Sequence, residues 1–378
     1  MRRDHGSRRA RIVGEASPPN SLVRYGQGVG PWGIPTGLSA EFSAGALSAY
    51  RELRFLHGCR GVKELSVGAC LYRFFMKKME DTHMKFEHLQ GSIVAMVTPF
   101  RQDGSVNFDM LTELLERQIA AGTDGILTLG TNGEYSTMSH EEDAAVVEHT
   151  IRVVDGRVPV MVGSGSNCTV TQIEKSRLYQ SMGADALLLI SPYYNKANAE
   201  GMYRHFAETA DAVDIPCILY NVPGRTGCSI PVSVVERLAR HPNIAGIKEA
   251  SGDMSYAMKI ARCVGPDFAL YSGNDDITVP ILSIGGSGVI SVYANVMPAM
   301  CRQIVADWLD GNHARALENH LRYLQLMNDL FLEVNPIPVK AAMNMMGLDV
   351  GPMRLPLCEM GEANVATLRR TLEEAGLL

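Results

Sequence analysis

Clusters of lysine and arginine are missing from the body of this 378-residue chain. A phosphate backbone is neutralised by such clusters, so their absence argues against nucleic acid as the main ligand. Long apolar runs are missing too: no window approaches the ~20 residues that a bilayer-crossing helix needs. The eight cysteines, at 59, 70, 168, 217, 228, 263, 301 and 358, form neither a CxxC pair nor a Cys/His spacing suited to zinc. Several lie in apolar runs such as Pro216-Cys217-Ile218-Leu219, which reads as buried free thiols in a reducing, cytoplasmic compartment, without disulfides. What is present is ample apolar material: 46% of residues are hydrophobic, enough for a packed core and too much for wholesale disorder.

Charge divides the chain in two. Residues 1–88 carry 14 Lys and Arg against 8 Asp and Glu, leaving 21 against 33 for the remainder. The first 48 residues are studded with Gly, Pro, Ser and Arg, with no apolar period that buries a face, and are expected to be disordered. The opening arginines invite comparison with a transit peptide, but Asp4 and Glu15 interrupt the basic pattern. An upstream start codon is the preferred account of 1–88, with Met76, Met79 or Met84 beginning a self-sufficient domain.

From Ser92 onward, apolar runs of strand length alternate with amphipathic helical stretches about every 25 to 35 residues. The strand candidates are Ile93–Thr98, Gly125–Gly130, Val158–Gly163, Ala186–Ser191, Pro216–Asn221, Ile244–Lys248, Phe268–Ser272 and Gly288–Val292. Strands apolar throughout require burial on both faces, hence a parallel sheet wrapped by helices. Eight such units predict an α/β fold, a (β/α)8 TIM barrel over 89–311, with active-site groups at the C-terminal strand ends. Residues 312–378 read as a small helical appendage, including helices over 313–331, 336–346 and 364–375.

Strand ends then act as a filter for chemistry. Lys248 closes strand six after Ile244-Ala245-Gly246-Ile247, where desolvation disfavours its charged form and a neutral amine becomes a nucleophile toward a ketone. A plain ion pair with Glu249 explains the lysine equally well at this stage. Strand five ends in Tyr220, whose hydroxyl can move a proton, and leads to Arg225, whose planar fork suits a carboxylate. Strand two ends in the Gly130-Thr131-Asn132-Gly133-Glu134 loop, whose backbone amides can hold an anion, and strand four in Tyr193 and Tyr194. Gly285-Gly286-Ser287-Gly288 suits either a phosphate or a tight turn, and no basic residue nearby supports the former.

Six stretches, in order, resemble the dihydrodipicolinate synthase family of the pyruvate-dependent aldolase/lyase superfamily. They are residues 91–100, Gly130–Glu134, Pro192–Asn195, Leu219–Gly227, Gly246–Ala250 and Asn335-Pro336-Ile337-Pro338-Val339-Lys340. The resemblance covers about Gly91 to Leu378. It implies condensation of pyruvate with L-aspartate 4-semialdehyde to 4-hydroxy-tetrahydrodipicolinate, in diaminopimelate and lysine biosynthesis, on a homotetramer built as a dimer of dimers. By resemblance, Lys248 forms the imine, while Tyr220, Thr131 and Tyr194 make a proton relay with Tyr194 serving the neighbouring subunit. Arg225 holds the semialdehyde carboxylate, the backbone around Thr131 and Asn132 holds pyruvate, and the Ile290 carbonyl faces the substrate. Gly133, Thr226 and Gly227 complete the substrate-binding set. The iminium is the electron sink, so no metal or organic cofactor is expected.

The chain also departs from the family pattern. Asn132 stands where a second threonine is usual and Tyr135 where a serine is usual. In the cleft through which some members are inhibited by lysine, Asn167, Tyr193 and His140 match, but Asp143 and Thr171 replace a histidine and a glutamate. Weak or absent lysine inhibition is therefore expected. Two other functions stay open on sequence: a sister lyase acting on N-acetylneuraminate or a 2-keto-3-deoxy sugar acid, and a barrel that only binds a keto acid.

Overall fold

The computed structural model describes residues 89–378; the expectations for the 1–88 extension lie outside the described residues. Eight parallel strands close into a barrel in chain order, β1 pairing with both β2 and β8. They are β1 (Gly91–Ala95), β2 (Gly125–Thr128), β3 (Val160–Gly163), β4 (Ala186–Ile190), β5 (Cys217–Asn221), β6 (Ile244–Glu249), β7 (Ala269–Ser272) and β8 (Gly288–Ser291). After them in turn come α1 (Phe108–Ala120), α2 (His140–Val154), α3 (Thr169–Met182), α4 (Ala199–Asp211), α5 (Val232–Leu238), α6 (Met254–Ile260), α7 (Thr278–Ser283) and α8 (Pro298–Leu309). Four strands, β1, β2, β4 and β8, stop one to three residues earlier than their apolar runs; at β1 and β2 the chain beyond turns over the barrel mouth, with Leu129 at φ 53°.

Strand alternation sorts the core into two layers. Ile93, Leu127, Leu188, Ile218, Tyr220 and Ile290 fill the barrel, while Val94, Ile126, Leu187, Leu189 and Leu219 face the helices. Helix α1 shows the matching periodicity: Leu111, Leu114, Leu115 and Gln118 are buried, and Asn107 caps its start by accepting from the Met110 amide. Helix α2 opens on a reciprocal capping box between Ser139 and Glu142. Helix α7 was not anticipated; at six residues it is too short to show a period.

The C-terminal helices are α9 (His313–Arg322), α10 (Leu324–Asp329), α11 (Ile337–Met345) and α12 (Glu362–Glu374). The single helix expected over 313–331 breaks at Tyr323, whose ring lies against Tyr293 with centroids 6.3 Å apart. Among the described residues no helix is long and apolar enough to cross a membrane.

Candidate active site

The sixth strand aims the central lysine by an irregularity. Across β5 and β6 the register jumps from Cys217↔Ile244 to Ile218↔Gly246, leaving Ala245 as an extra residue. Ala245 packs inside the barrel and Ile247 outside, so the bulge resets the phase and turns Lys248 inward beside Tyr220, its cross-strand partner. Gly246 permits this, because a Cβ there would lie 2.5 Å from the Ala269 carbonyl oxygen on β7. Gly273 guards the lysine stem in the same way: a Cβ would meet Lys248 Cε at 3.1 Å.

Lys248 is only 5% exposed, and its Nζ sits 4.6 Å from the centre of the Tyr220 ring. Glu249 does not neutralise it. That carboxylate accepts from Asn221 Nδ2 at 2.7 Å, from the Ser251 amide at 2.7 Å and from the Ser251 hydroxyl. Burial pulls the Lys248 ammonium down to about 7, helped by the Arg225 charge and opposed by Asp275. A substantial neutral fraction thus exists near pH 7, which removes the ambiguity left by the residues alone.

Tyr220 lines one cavity with Thr131, and its phenol is raised above the usual tyrosine value, chiefly by burial. It therefore stays protonated at neutral pH and can pass protons on. The loop carrying Thr131 is held from outside the barrel. Asn132 donates to the Ala95 carbonyl at 2.7 Å and accepts from Asn335 Nδ2 at 2.6 Å. Glu134, at φ 52°, accepts from Lys340 Nζ at 2.8 Å and from the Arg354 amide at 3.0 Å. Arg225 is exposed at the mouth and donates to the Asn335 carbonyl at 2.8 Å. Asn335 thus bridges the loop that carries Thr131 and the Arg225 guanidinium.

At the β7–β8 end, buried Asp275 accepts from Ser291 Oγ at 2.5 Å and from the Val292 and Tyr293 amides at 3.0 and 2.9 Å. These bonds fix the chain just beyond Ile290, which is buried in the inner layer of β8. Thr226 is buried and donates to the Cys228 carbonyl at 2.8 Å, Gly227 turns at φ 69°, and Gly133 lies beneath Thr98.

Lys248, Tyr220, Thr131 and Arg225 are therefore brought together at one mouth. Tyr194 is not part of that group within one chain: it is 92% exposed, at φ 67°, and among the described residues forms no hydrogen bond to Tyr220 or Thr131. Asp275 and Gly273 were overlooked in sequence, and Asn335 and Lys340 were seen only as part of a motif. The signal for Asp275 was its place just past a strand end, four residues after Tyr271. Asn335 lies more than 80 residues beyond β6, where no strand-end filter reaches.

A family model described as the dihydrodipicolinate synthetase family matches residues 88–375. A curated protein named 4-hydroxy-tetrahydrodipicolinate synthase from Clostridium perfringens is 48% identical over 289 residues, covering 76% of this chain and 99% of that protein. One of the same name from a Thermoanaerobacter species is 49% identical over 290 residues, covering 76% and 97%. Among solved structures, a chloride-inhibited dihydrodipicolinate synthase from Acinetobacter baumannii, complexed with pyruvate, superposes with a TM-score of 0.75 at 42% identity, covering 77% of this chain and all of that one.

Proposed function

This chain belongs to the dihydrodipicolinate synthetase family, and from that premise we propose that it condenses pyruvate with L-aspartate 4-semialdehyde to 4-hydroxy-tetrahydrodipicolinate, the step that feeds diaminopimelate and lysine biosynthesis. The observation that carries the mechanism is a buried amine, unpaired and uncharged often enough to attack a ketone. Neutral Lys248 adds to the pyruvate carbonyl, and loss of water leaves an iminium. That cation accepts the electron pair freed when a methyl proton departs, giving an enamine without metal or organic cofactor. Tyr220, beside Thr131 in one cavity, receives and returns the protons. The enamine carbon attacks the semialdehyde aldehyde, and the semialdehyde's own amine then displaces Lys248 and closes the ring.

Arg225 stands at the entrance with a free face of its guanidinium for the second substrate's carboxylate, a group that sugar-acid tails do not place there. The exposed phenol of Tyr194 suits a residue that serves a neighbouring subunit, and a homotetramer built from such dimers is the assembly we assign. The 89–311 barrel is then the catalytic domain, with 312–378 as its helical support and 1–88 as a separable extension. The substrates are small and water-soluble, which fits a cytoplasmic enzyme.

Borohydride reduction in the presence of pyruvate, followed by mass spectrometry, should place a pyruvate-derived adduct on Lys248. A coupled assay with aspartate 4-semialdehyde then separates this activity from sugar-acid cleavage. Arg225→Ala should keep the adduct and lose the condensation; undiminished semialdehyde turnover would remove Arg225 from its role. Light scattering reports the assembly, and a chain begun at Met76 should retain full activity if 1–88 is dispensable.

A further inference from the structure

We propose that His320, on the C-terminal helix α9, is a positioning residue for the reactive amine: its imidazole holds the Asp275–Ile277 turn, and with it the Asp275 carboxylate, in a fixed place beside Lys248. This inference rests on the Schiff-base reading above and extends it to the helices outside the barrel.

The chain between β7 and α7 runs along the lysine. Gly273 donates its amide to the Glu249 carbonyl at 2.7 Å and lies so near the lysine stem that a Cβ would meet Lys248 Cε at 3.1 Å. Two residues on, Asp275 opens a single 3₁₀ turn, Asp275–Ile277, that no side chain caps. From the β8 end, Ser291 Oγ and the Val292 and Tyr293 amides grip the Asp275 carboxylate. They do not grip the backbone of the turn. The Asp276 carbonyl lacks the donor that a continuous helix would supply four residues on, because that residue is Pro280, in the first turn of α7, and has no N–H. His320 takes the place of that donor: its Nε2 donates to the Asp276 carbonyl at 2.9 Å, across 44 residues of sequence.

The ring does little else. His320 is 3% exposed, and its Nδ1 is buried without a hydrogen-bond partner. The imidazole is therefore the neutral Nε2–H tautomer with one bond, and that bond runs to the turn. An orphaned ring nitrogen is a cost that an apolar side chain at this place would avoid, so packing alone does not account for a histidine. Burial lowers the basicity of the ring, opposed by the Asp276 carbonyl and carboxylate, and His320 stays neutral where Lys248 titrates. Around Lys248 itself stand the Tyr220 ring from β5, Arg225 from the loop after it, and Asp275 from this turn. Of the two charges, Asp275 favours the ammonium and Arg225 disfavours it, so a turn that drifts from the lysine leaves the amine less ready to hold a proton. His320 touches no reacting atom and acts through Asp275.

The test is the pH profile of imine formation with pyruvate, read by borohydride quenching and mass spectrometry. His320→Phe keeps a buried ring and deletes the donor, His320→Leu keeps apolar volume, and His320→Gln restores a donor. The proposal expects the Phe and Leu variants to move the acid limb to lower pH by about half a pH unit, in the same direction as Asp275→Asn and by less. At pH 6 the imine should then form about threefold faster than in the parent, while His320→Gln stays close to the parent. In an Asp275→Asn background the same replacements should leave the limb where Asp275→Asn put it. A limb that coincides with the parent's, in whichever of the Phe and Leu variants folds, overturns the proposal. So does a shift that persists in full without the Asp275 carboxylate, or a uniform slowing at every pH, which marks a purely structural role. Failure of the underlying Schiff-base reading shows separately, as absence of the adduct in the parent enzyme at every pH.

Discussion

Two buried lysines stand in contrasting surroundings. At the barrel mouth, Lys248 is enclosed by the Tyr220 ring and the stem-hugging Gly273, with no hydrogen bond or ion pair among the described residues. At the seam between barrel and C-terminal helices, Lys340 is fully buried but donates to Glu134 at 2.8 Å, Pro352 O at 2.7 Å and Thr98 O at 3.2 Å, with the Phe100 ring 4.5 Å away. Burial presses both ammonium groups toward neutrality, and at Lys340 Glu134 pulls the other way. The same side chain is unpaired in one place and an anchor in the other because of what its three donors meet. The anchor also steadies the barrel mouth, since Glu134 ends the loop that carries Thr131.

The sharpest break of this contrast is functional. Lys248→Ala should reduce both the pyruvate adduct and turnover to background, whereas no variant at Lys340 that folds should lose the adduct. Stability should run the other way. Lys340→Met strands the buried Glu134 carboxylate and should cost about 3–5 kcal/mol in denaturant unfolding, much of it recovered in the Lys340→Met/Glu134→Gln double variant. Lys248→Met should not be destabilising. With the native value lowered from 10.5 to about 7, the unfolded chain binds more protons between those pH values, so the parent's stability rises with pH across that window. The burial penalty is fully present below pH 7; Lys248→Met should therefore exceed its parent in stability at pH 6, the gap narrowing toward pH 10.

A smaller effect sharpens the electrostatics of the mouth. The rate of imine formation should fall on the acid side of about pH 7 as Lys248 takes up its proton. Asp275 holds that value up and Arg225 holds it down, so Asp275→Asn should move the acid limb to lower pH and Arg225→Ala to higher pH, each by up to about one unit. Shifts of the same sign in both variants contradict this assignment. The least effect is expected from L-lysine. Asp143 is already paired with the chain's own Lys175 at 2.7 Å, and Thr171 supplies no acid. Titration into the coupled assay should give little inhibition, and half-inhibition below millimolar levels would refute it.

Much of this was legible in the residues. The eight apolar runs are the eight strands, with ends that differ by at most three residues, the most at β1, where the chain turns over the mouth. Lys248, Tyr220, Thr131 and Arg225 were legible because each closes or follows a strand. Asn335 owes its importance to a distant contact, the bridge from Asn132 to Arg225.

Periodicity and strand-end chemistry by themselves determined the barrel and the side of it that works, because burial on both strand faces and short βα repeats admit few alternatives. Whether Lys248 faced the mouth or the helices was decided only in three dimensions. Counting two by two from Ala245 turns it outward; the bulge at Ala245, written in the pairing of β6 with β5, turns it in. Whether Glu249 or nothing at all neutralised it was likewise a matter of tertiary structure, since Asn221 and Ser251 claim that carboxylate from positions no local pattern relates to Lys248.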